Sequence, residues 1–426
     1  MQSSCLIFSN CFLPKDGKLR HCHVFVKDNQ TENIESVSDA EFGKIVFAET
    51  FGKKSTVYDE SKLCKIVTFE CAGRILSPGF IDIQLNGGFG VDFSNPSLTK
   101  EDVLKVATHL TKFGVTHFCP TMVSSSSCTY RKLIPLIGGI CLEDRTSTNP
   151  VGRASLFGMH LEGPFFAKSR RGAHEARCIL EEIMENSFSD VYNEGAENLE
   201  KAGVAIVTLA PELPGSIHQI ETLSKNGIIV SMGHTDAAIN HGLEAMKKGA
   251  SLITHLFNAM RSFHHREPGL LGLLSEKTGM YYSIIADGLH SHPTSVKMAY
   301  AMSKNVVLVT DAMSALGLGD GEHSLGAEMV TVKNCKAVVS GTDTLAGSVA
   351  SMDSCVRSFR KFTGCSYYEA LTAATYNPSK VLNKTKDLGI IAVGCPADFV
   401  LLDSELNVLR TVVAGLIVFS NEEEMS

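Results

Sequence analysis

The sequence lacks the features that define several classes of protein. Its 13 cysteines include no Cys-x-x-Cys pair and their number is odd, which argues against a disulfide scaffold or a zinc module with cysteine ligands. No uninterrupted apolar run reaches the length of a membrane span, and the first residues carry no basic leader. A net charge of −7 argues against nucleic acid or an anionic membrane as the main partner. We therefore expect a cytoplasmic enzyme or binding protein.

The two ends of the chain share a β-type pattern, in which short apolar runs alternate with turns. The runs lie at 6–8, 23–26, 44–47 and 65–69, and again at 389–394, 397–402, 408–410 and 412–419. A chain of 426 residues exceeds a typical single domain. We predict one small β domain from residues 1–74 and 386–426 together, beside a large domain over 75–385. The polar stretches 29–43 and 49–62 are expected to be loops, and no function is predicted for the segment 29–62.

The large domain contains eight apolar runs separated by segments of helical length. They lie at 75–83, 115–119, 156–161, 205–209, 227–232, 251–254, 281–286 and 306–310. None shows polar alternation, which is typical of strands covered on both faces, as in parallel sheets. Eight such strands with helices between them favour a (β/α)₈ barrel over an open doubly wound sheet.

Polar side chains stand at the ends of these runs, where a barrel of this kind builds its active site. They are Gln84, Glu162, His234, His255, His290 and Asp311. A lone carboxylate or histidine in such a place is usually structural, but His234 and His255 end successive strands. With Glu162 they form a His₂Glu set, a known arrangement for catalytic zinc that leaves one position for water.

The remaining polar residues allow more than one role. Asp311 could be a further metal ligand, the general base for that water, or an N-cap for the segment that follows. His290 could polarise a carbonyl or bind substrate. Arg266 lies in a loop after the sixth strand, which suits an anion clamp, although exposed loop arginines are usually solvated.

Several motifs resemble the amidohydrolase superfamily and, within it, the N-acetylglucosamine-6-phosphate deacetylases. The most specific are His160-Leu-Glu-Gly-Pro164 and Thr254-His-Leu-Phe-Asn-Ala-Met260. Others are Gly233-His-Thr-Asp236, Arg266-Glu-Pro-Gly269, Ala286-Asp-Gly-Leu-His290, Val309-Thr-Asp311 and Leu345-Ala-Gly-Ser348. The matches run in the expected order from about residue 74 to 402.

The resemblance implies a TIM-like barrel with a small β-sandwich made from both termini. It implies hydrolysis of N-acetylglucosamine 6-phosphate to glucosamine 6-phosphate and acetate. The implied metal ligands are Glu162, His234 and His255, and Asp311 would act as base and then as acid. His290 would contact the sugar and the acyl oxygen, and the pocket would also contain His174 and Leu345. The phosphate would be held by Asn258, the backbone of Ala259, and Arg266 from the partner subunit of a homodimer.

One departure from the wider superfamily concerns the first strand. Many members carry His-x-His there as ligands of a second metal, whereas this chain reads Gln84-Leu-Asn86. Neutral amides are poor ligands for a transition metal, so we predict one divalent ion per subunit. Zinc is favoured, and iron, cobalt or manganese would also suit His₂Glu. The alternatives are an amidohydrolase that acts on a cyclic amide, like dihydroorotase or allantoinase, and a scaffold that has lost activity.

Overall fold

Strands from both ends of the chain form one nine-stranded sheet, the terminal sheet. The computed structural model describes residues 4–15, 18–27, 30–35, 55–59, 64–71, 73–147, 152–275 and 279–421. The strands of the terminal sheet are Ser4–Lys15, Lys18–Lys27, Gln30–Glu35, Ser55–Asp59, Cys64–Glu70, Ile75–Pro78, Phe399–Leu402, Val408–Val413 and Leu416–Ser420. Its buried apolar residues include Phe8 and Phe399, whose rings meet edge to face 5.9 Å apart.

The terminal sheet corrects two expectations from the sequence. The polar stretches were expected to be loops, but Gln30–Glu35 and Ser55–Asp59 are strands because they pair with neighbouring strands. The strand expected at 44–47 lies outside the described residues. The apolar run at 75–83 is divided, since Ile75–Pro78 pairs with Phe399–Leu402 in the terminal sheet.

Gly79 marks the point where the chain passes from the terminal sheet to the barrel. Its N–H donates to the carbonyl of Asp398, and the N–H of the next residue, Phe80, donates to Gly114. A Cβ at Gly79 would lie 2.2 Å from the side chain of Thr116, so only glycine fits there. The domain ranges 1–74 with 386–426 and 75–385 remain a prediction, with Ile75–Pro78 as the strand that links the two parts.

Eight parallel strands form the barrel, as predicted. They are Phe80–Leu85, Val115–Val123, Met159–Glu162, Val204–Leu209, Ile229–Met232, Ala250–Ile253, Tyr281–Ile284 and Val306–Leu308. A short strand, Ser155–Leu156, also pairs with the second. Parallel pairing runs in chain order, and the first and last strands meet where Asp311 N–H donates to the Gln84 carbonyl at 2.9 Å. The predicted fold class, a TIM-like barrel with a smaller β part from both termini, is confirmed.

Helices follow most of the strands. The α-helices are Lys100–Leu110, Ser127–Thr146, Ser187–Tyr192, Ser216–Lys225, Ile239–Lys247, Pro293–Met302, Met352–Thr363, Tyr367–Ala374 and Tyr376–Val381. The first begins at a capping box, which Thr99 and Asp102 form. The helix Ser127–Thr146 contains Pro135 in its interior. No helix among the described residues is both long enough and apolar enough to cross a membrane.

A three-stranded antiparallel sheet follows the eighth barrel strand. Its strands are Gly321–Leu325, Glu328–Lys333 and Lys336–Val339. Its apolar side chains pack against Val123 and Met313, at the carboxyl ends of the second and eighth barrel strands. This sheet therefore lies over the face of the barrel where the polar strand ends converge.

Candidate functional site

Three of the polar residues that follow barrel strands have left-handed backbone. The φ angles are 49° at His234, 28° at His255 and 49° at Asp311. Such conformations cost a non-glycine residue roughly 1–3 kcal/mol, and they cluster at functional sites. Each turns the chain sharply at the end of its strand. At His234 the preceding residue is Gly233, where a Cβ would lie 2.8 Å from Thr254.

The first group of converging atoms comes from Glu162, His234 and His255, all of which are buried. Oε1 of Glu162 lies 3.3 Å from Nε2 of His234 and 3.1 Å from Nε2 of His255. The two Nε2 atoms are 3.0 Å apart. Burial alone would raise the pKa of Glu162, but its close contacts with the imidazoles of His234 and His255 hold that pKa well below its usual range.

The surroundings of His234 fix its tautomer. Its Nδ1 lies 3.0 Å from the carbonyl oxygen of Arg170, which can only accept, so Nδ1 carries the proton and Nε2 a lone pair. Phe166 stacks on the imidazole at 4.2 Å between ring centres. The lone pair of His234 Nε2 and an oxygen of the Glu162 carboxylate are thus directed at the same point as Nε2 of His255. A divalent cation fits this donor set.

His174 approaches the same carboxylate, and Glu162, His174 and His234 offer atoms that all lie within 4.8 Å of one another. The Nδ1 of His174 accepts the backbone N–H of Ser124 at 3.0 Å, so the proton of the neutral ring is on Nε2. That Nε2 lies 4.0 Å from Oε2 of Glu162. Burial, and then the neighbouring His234, lower the pKa of His174 to about 3. His174 is therefore a neutral N–H donor in this arrangement.

Asp311 faces this group from the end of the eighth strand. Its Oδ1 accepts the Nδ2–H of Asn86 at 2.7 Å and the Nε2–H of Gln84 at 3.3 Å. The same Gln84 amide donates to Oε1 of Glu162 at 2.8 Å, so one side chain joins the two carboxylates. Burial, and then the charge of Glu162, raise the pKa of Asp311 to about 7. The carboxyl is thus suited to exchange a proton near neutral pH.

His290 is held by Asp287, three residues earlier in the chain. Its Nδ1 donates to Oδ2 of Asp287 at 2.7 Å, and its backbone N–H donates to Oδ1 at 2.8 Å. Burial would raise the pKa of Asp287, but these hydrogen bonds and the nearby imidazole lower it. Because Nδ1 donates to the carboxylate, the ring orientation is fixed. Nε2 of His290 takes no part in the hydrogen bond to Asp287.

One cavity of about 360 Å³ brings nearly all of the predicted site residues together. Its lining includes Glu162, His174, His234, His255, Asn258, Ala259, His290, Asp311 and Leu345. Arg266 is exposed and does not line it. A larger cavity of about 710 Å³ lies behind Ser124 and Pro164, and none of the residues proposed as metal ligands lines it.

Three contacts in this site were not predicted from the sequence. Asn86 binds Asp311, Asp287 binds His290, and the carbonyl of Arg170 binds His234. The spacing Asp-x-x-His was a local signal for the second. The first and third join segments that are distant in the chain, and for a main-chain carbonyl the sequence carries no signal.

Known proteins resemble this chain in sequence and in fold. The model of the amidohydrolase family matches residues 75–418. The N-acetylglucosamine-6-phosphate deacetylase of Bos taurus is 43% identical over 428 residues, which span 98% of this chain and 96% of that protein. The corresponding enzyme of Caenorhabditis elegans is 40% identical over 425 residues, with 97% and 94% covered. A crystal structure of the deacetylase from Thermotoga maritima superposes with a TM-score of 0.79 at 29% identity, covering 97% of this chain and all of that one.

Proposed function

This chain belongs to the amidohydrolase family, and from that membership we propose that it hydrolyses N-acetylglucosamine 6-phosphate to glucosamine 6-phosphate and acetate. The similarity to deacetylases along nearly the whole chain supports this substrate. The observation that carries the proposal is the cavity in which Glu162, His234 and His255 meet Asp311 and His290. This set unites a cation site, a proton acceptor and an oriented imidazole, which suits amide hydrolysis.

A divalent metal would be held by Glu162, His234 and His255. Their three donor atoms lie 3.0 to 3.3 Å apart, and the tautomer of His234 leaves its Nε2 free to ligate. A bound metal ion supplies a Lewis acid that lowers the pKa of water towards about 7 and polarises a carbonyl. Two imidazoles and a carboxylate favour zinc, and they would also accept iron, cobalt or manganese.

Asp311 would take the proton from the attacking water and deliver it to the leaving amine. Its carboxyl lines the cavity, and both hydrogen bonds that it accepts from described side chains are received by Oδ1. A pKa of about 7 suits a group that accepts and then returns a proton. His290, oriented by Asp287 through its Nδ1–H, would contact the sugar and the acyl oxygen through the Nε2 edge of its ring. His174 would donate from its Nε2–H within the same pocket, and Leu345 would contact the acetyl group.

The phosphate would bind at the turn that contains Asn258 and Ala259. Both residues line the cavity, and the backbone N–H of Ala259 has no hydrogen bond among the described residues. Arg266 is exposed and does not reach the cavity of its own chain, which fits a role in the site of a second subunit. We therefore propose a homodimer with shared sites. The predicted cytoplasmic location suits an enzyme that acts on a phosphorylated sugar.

The decisive experiment measures acetate release from N-acetylglucosamine 6-phosphate and from unphosphorylated N-acetylglucosamine, together with the metal content of the purified protein. We expect rapid release from the phosphorylated sugar, much slower release from the other, and about one metal ion per chain. Dihydroorotate and allantoin serve as control substrates. Turnover of a cyclic amide alone, or no turnover with a loaded metal site, would contradict the proposal.

A further inference from the structure

Asn86 lies beside the proposed reaction centre but has no part in the function described so far. It follows the first barrel strand and is only 2% exposed. Its Nδ2–H donates to Oδ1 of Asp311 at 2.7 Å, which is shorter than the 3.3 Å hydrogen bond from Gln84 to the same oxygen. Hydrogen bonds to a charged group are about twice as strong as those between neutral groups.

The orientation of the Asn86 amide is set by Asp311. Turning the amide over would bring its oxygen against the carboxylate, so that two acceptors would face each other at 2.7 Å. In the orientation present, Oδ1 of Asn86 is buried and has no hydrogen-bond partner among the described residues. A buried acceptor without a partner destabilises the fold, and natural proteins contain few of them. The Asn86 amide therefore keeps its hydrogen bond to Asp311 although its own oxygen is left without a partner.

The hydrogen bonds that Asp311 accepts from side chains involve only one of its two carboxylate oxygens. Asn86 and Gln84 both donate to Oδ1, while no described residue donates to Oδ2. Asp311 lines the cavity, and Oδ2 is the carboxyl oxygen that remains to face it. One oxygen is thereby anchored and the other is presented to the reacting groups.

We propose that Asn86 is a positioning residue, which fixes the Asp311 carboxylate through Oδ1 so that Oδ2 exchanges the proton in the reaction. This inference rests on the proposed function of the site. Asn86 is not a metal ligand in this proposal, because its Nδ2–H donates to Asp311. Gln84 differs, because its amide also donates to Glu162 and its loss would disturb the proposed metal site as well.

The test uses Asn86→Leu, which removes the N–H at similar volume. We expect kcat to fall by about 10- to 100-fold, the effect of losing one hydrogen bond to a charged group, with KM changed less than about threefold. Metal content per chain should equal that of the wild type. Asn86→Ser removes the same N–H with a smaller side chain and carries the same expectation if the leucine variant does not fold.

A double-mutant cycle distinguishes positioning from a structural role. In the Asp311→Asn background, Asn86→Leu should lower the residual kcat no further, because no carboxylate remains to be positioned. The control Asn377→Leu removes a buried amide that donates to the Val306 carbonyl at 2.6 Å, at the start of the strand that leads to Asp311. It should lower Tm and leave kcat within about twofold.

Three results would overturn the inference: a kcat of Asn86→Leu within about threefold of wild type, equal losses in both backgrounds, or loss of the metal. A wild-type protein that releases no acetate would instead contradict the proposed function, so the two failures are distinguishable.

Discussion

His174 and His234 face the two oxygens of the Glu162 carboxylate in opposite tautomers. The Nδ1 of His234 donates to a carbonyl, whereas the Nδ1 of His174 accepts a backbone N–H. Only His234 therefore offers its Nε2 lone pair to a cation, although both rings lie close to the same carboxylate. Backbone groups of Arg170 and Ser124 thus give the two rings different roles in the proposed metal site, one with a free Nε2 lone pair and the other with an Nε2–H.

This difference predicts the metal content of two matched variants. His234→Asn should lose most of the bound metal, because one of three ligands is removed. His174→Asn should retain about one ion per chain and lose activity through the missing N–H. Metal analysis after dialysis measures both, with acetate release as the second measurement. Loss of metal from His174→Asn alone would reverse the assignment of the two rings.

Replacement of Asp311 tests the proton transfer. Asp311→Asn keeps the size of the side chain and should fold and bind metal, but turnover should fall by several orders of magnitude because the amide cannot accept a proton. Steady-state kcat is the measurement, and thermal unfolding is the control for folding. Turnover within about tenfold of wild type, a loss of only ~1.4 kcal/mol in barrier terms, would exclude Asp311 as the base.

Arg266 provides a test of shared sites. Arg266→Ala should mainly raise KM for the phosphorylated sugar, since an exposed guanidinium that binds phosphate contributes to binding more than to the chemical step. Mixing this variant with Asp311→Asn should restore activity at low substrate, because a mixed dimer has one site with both residues intact. If mixing restores nothing although subunits exchange, Arg266 acts within its own chain or not at all.

Asp92 predicts a pH dependence of stability. Burial raises its pKa to about 7, although the N–H groups of Ser94 and Gly326 donate to its oxygens. An unfolded aspartate has a pKa near about 3.9, so between about pH 4 and pH 7 the folded state binds more protons. The free energy of unfolding should therefore fall as pH rises through this range, by at most about 1.4 kcal/mol per pH unit from this group.

Denaturant unfolding of the wild type and of Asp92→Asn between pH 5 and pH 8 measures this contribution. The variant should be less stable at low pH, because one backbone N–H loses its acceptor, and its stability should depend less steeply on pH. Parallel curves for the two proteins would show that Asp92 does not titrate in this range.

The barrel and most of its polar face could be predicted from the sequence. Strands buried on both faces produce continuous apolar runs, and the carboxyl ends of parallel strands meet on one face, so Glu162, His234, His255, His290 and Asp311 had to lie near one another. The single cavity that these residues line agrees with that expectation. Which of them bind a metal remains a prediction for the variants above.

Tertiary structure decided what depends on contacts between distant segments. The pattern at 75–83 is continuous, and only pairing with Phe399–Leu402 assigns its first four residues to the terminal sheet. The tautomers of His174 and His234 depend on backbone groups of Ser124 and Arg170. The sequence around each histidine gives no sign of these contacts. Asn86 contacts Asp311 only because the barrel closes, and hydrogen bonding between the first and last strands depends on the whole fold and not on any local stretch of sequence.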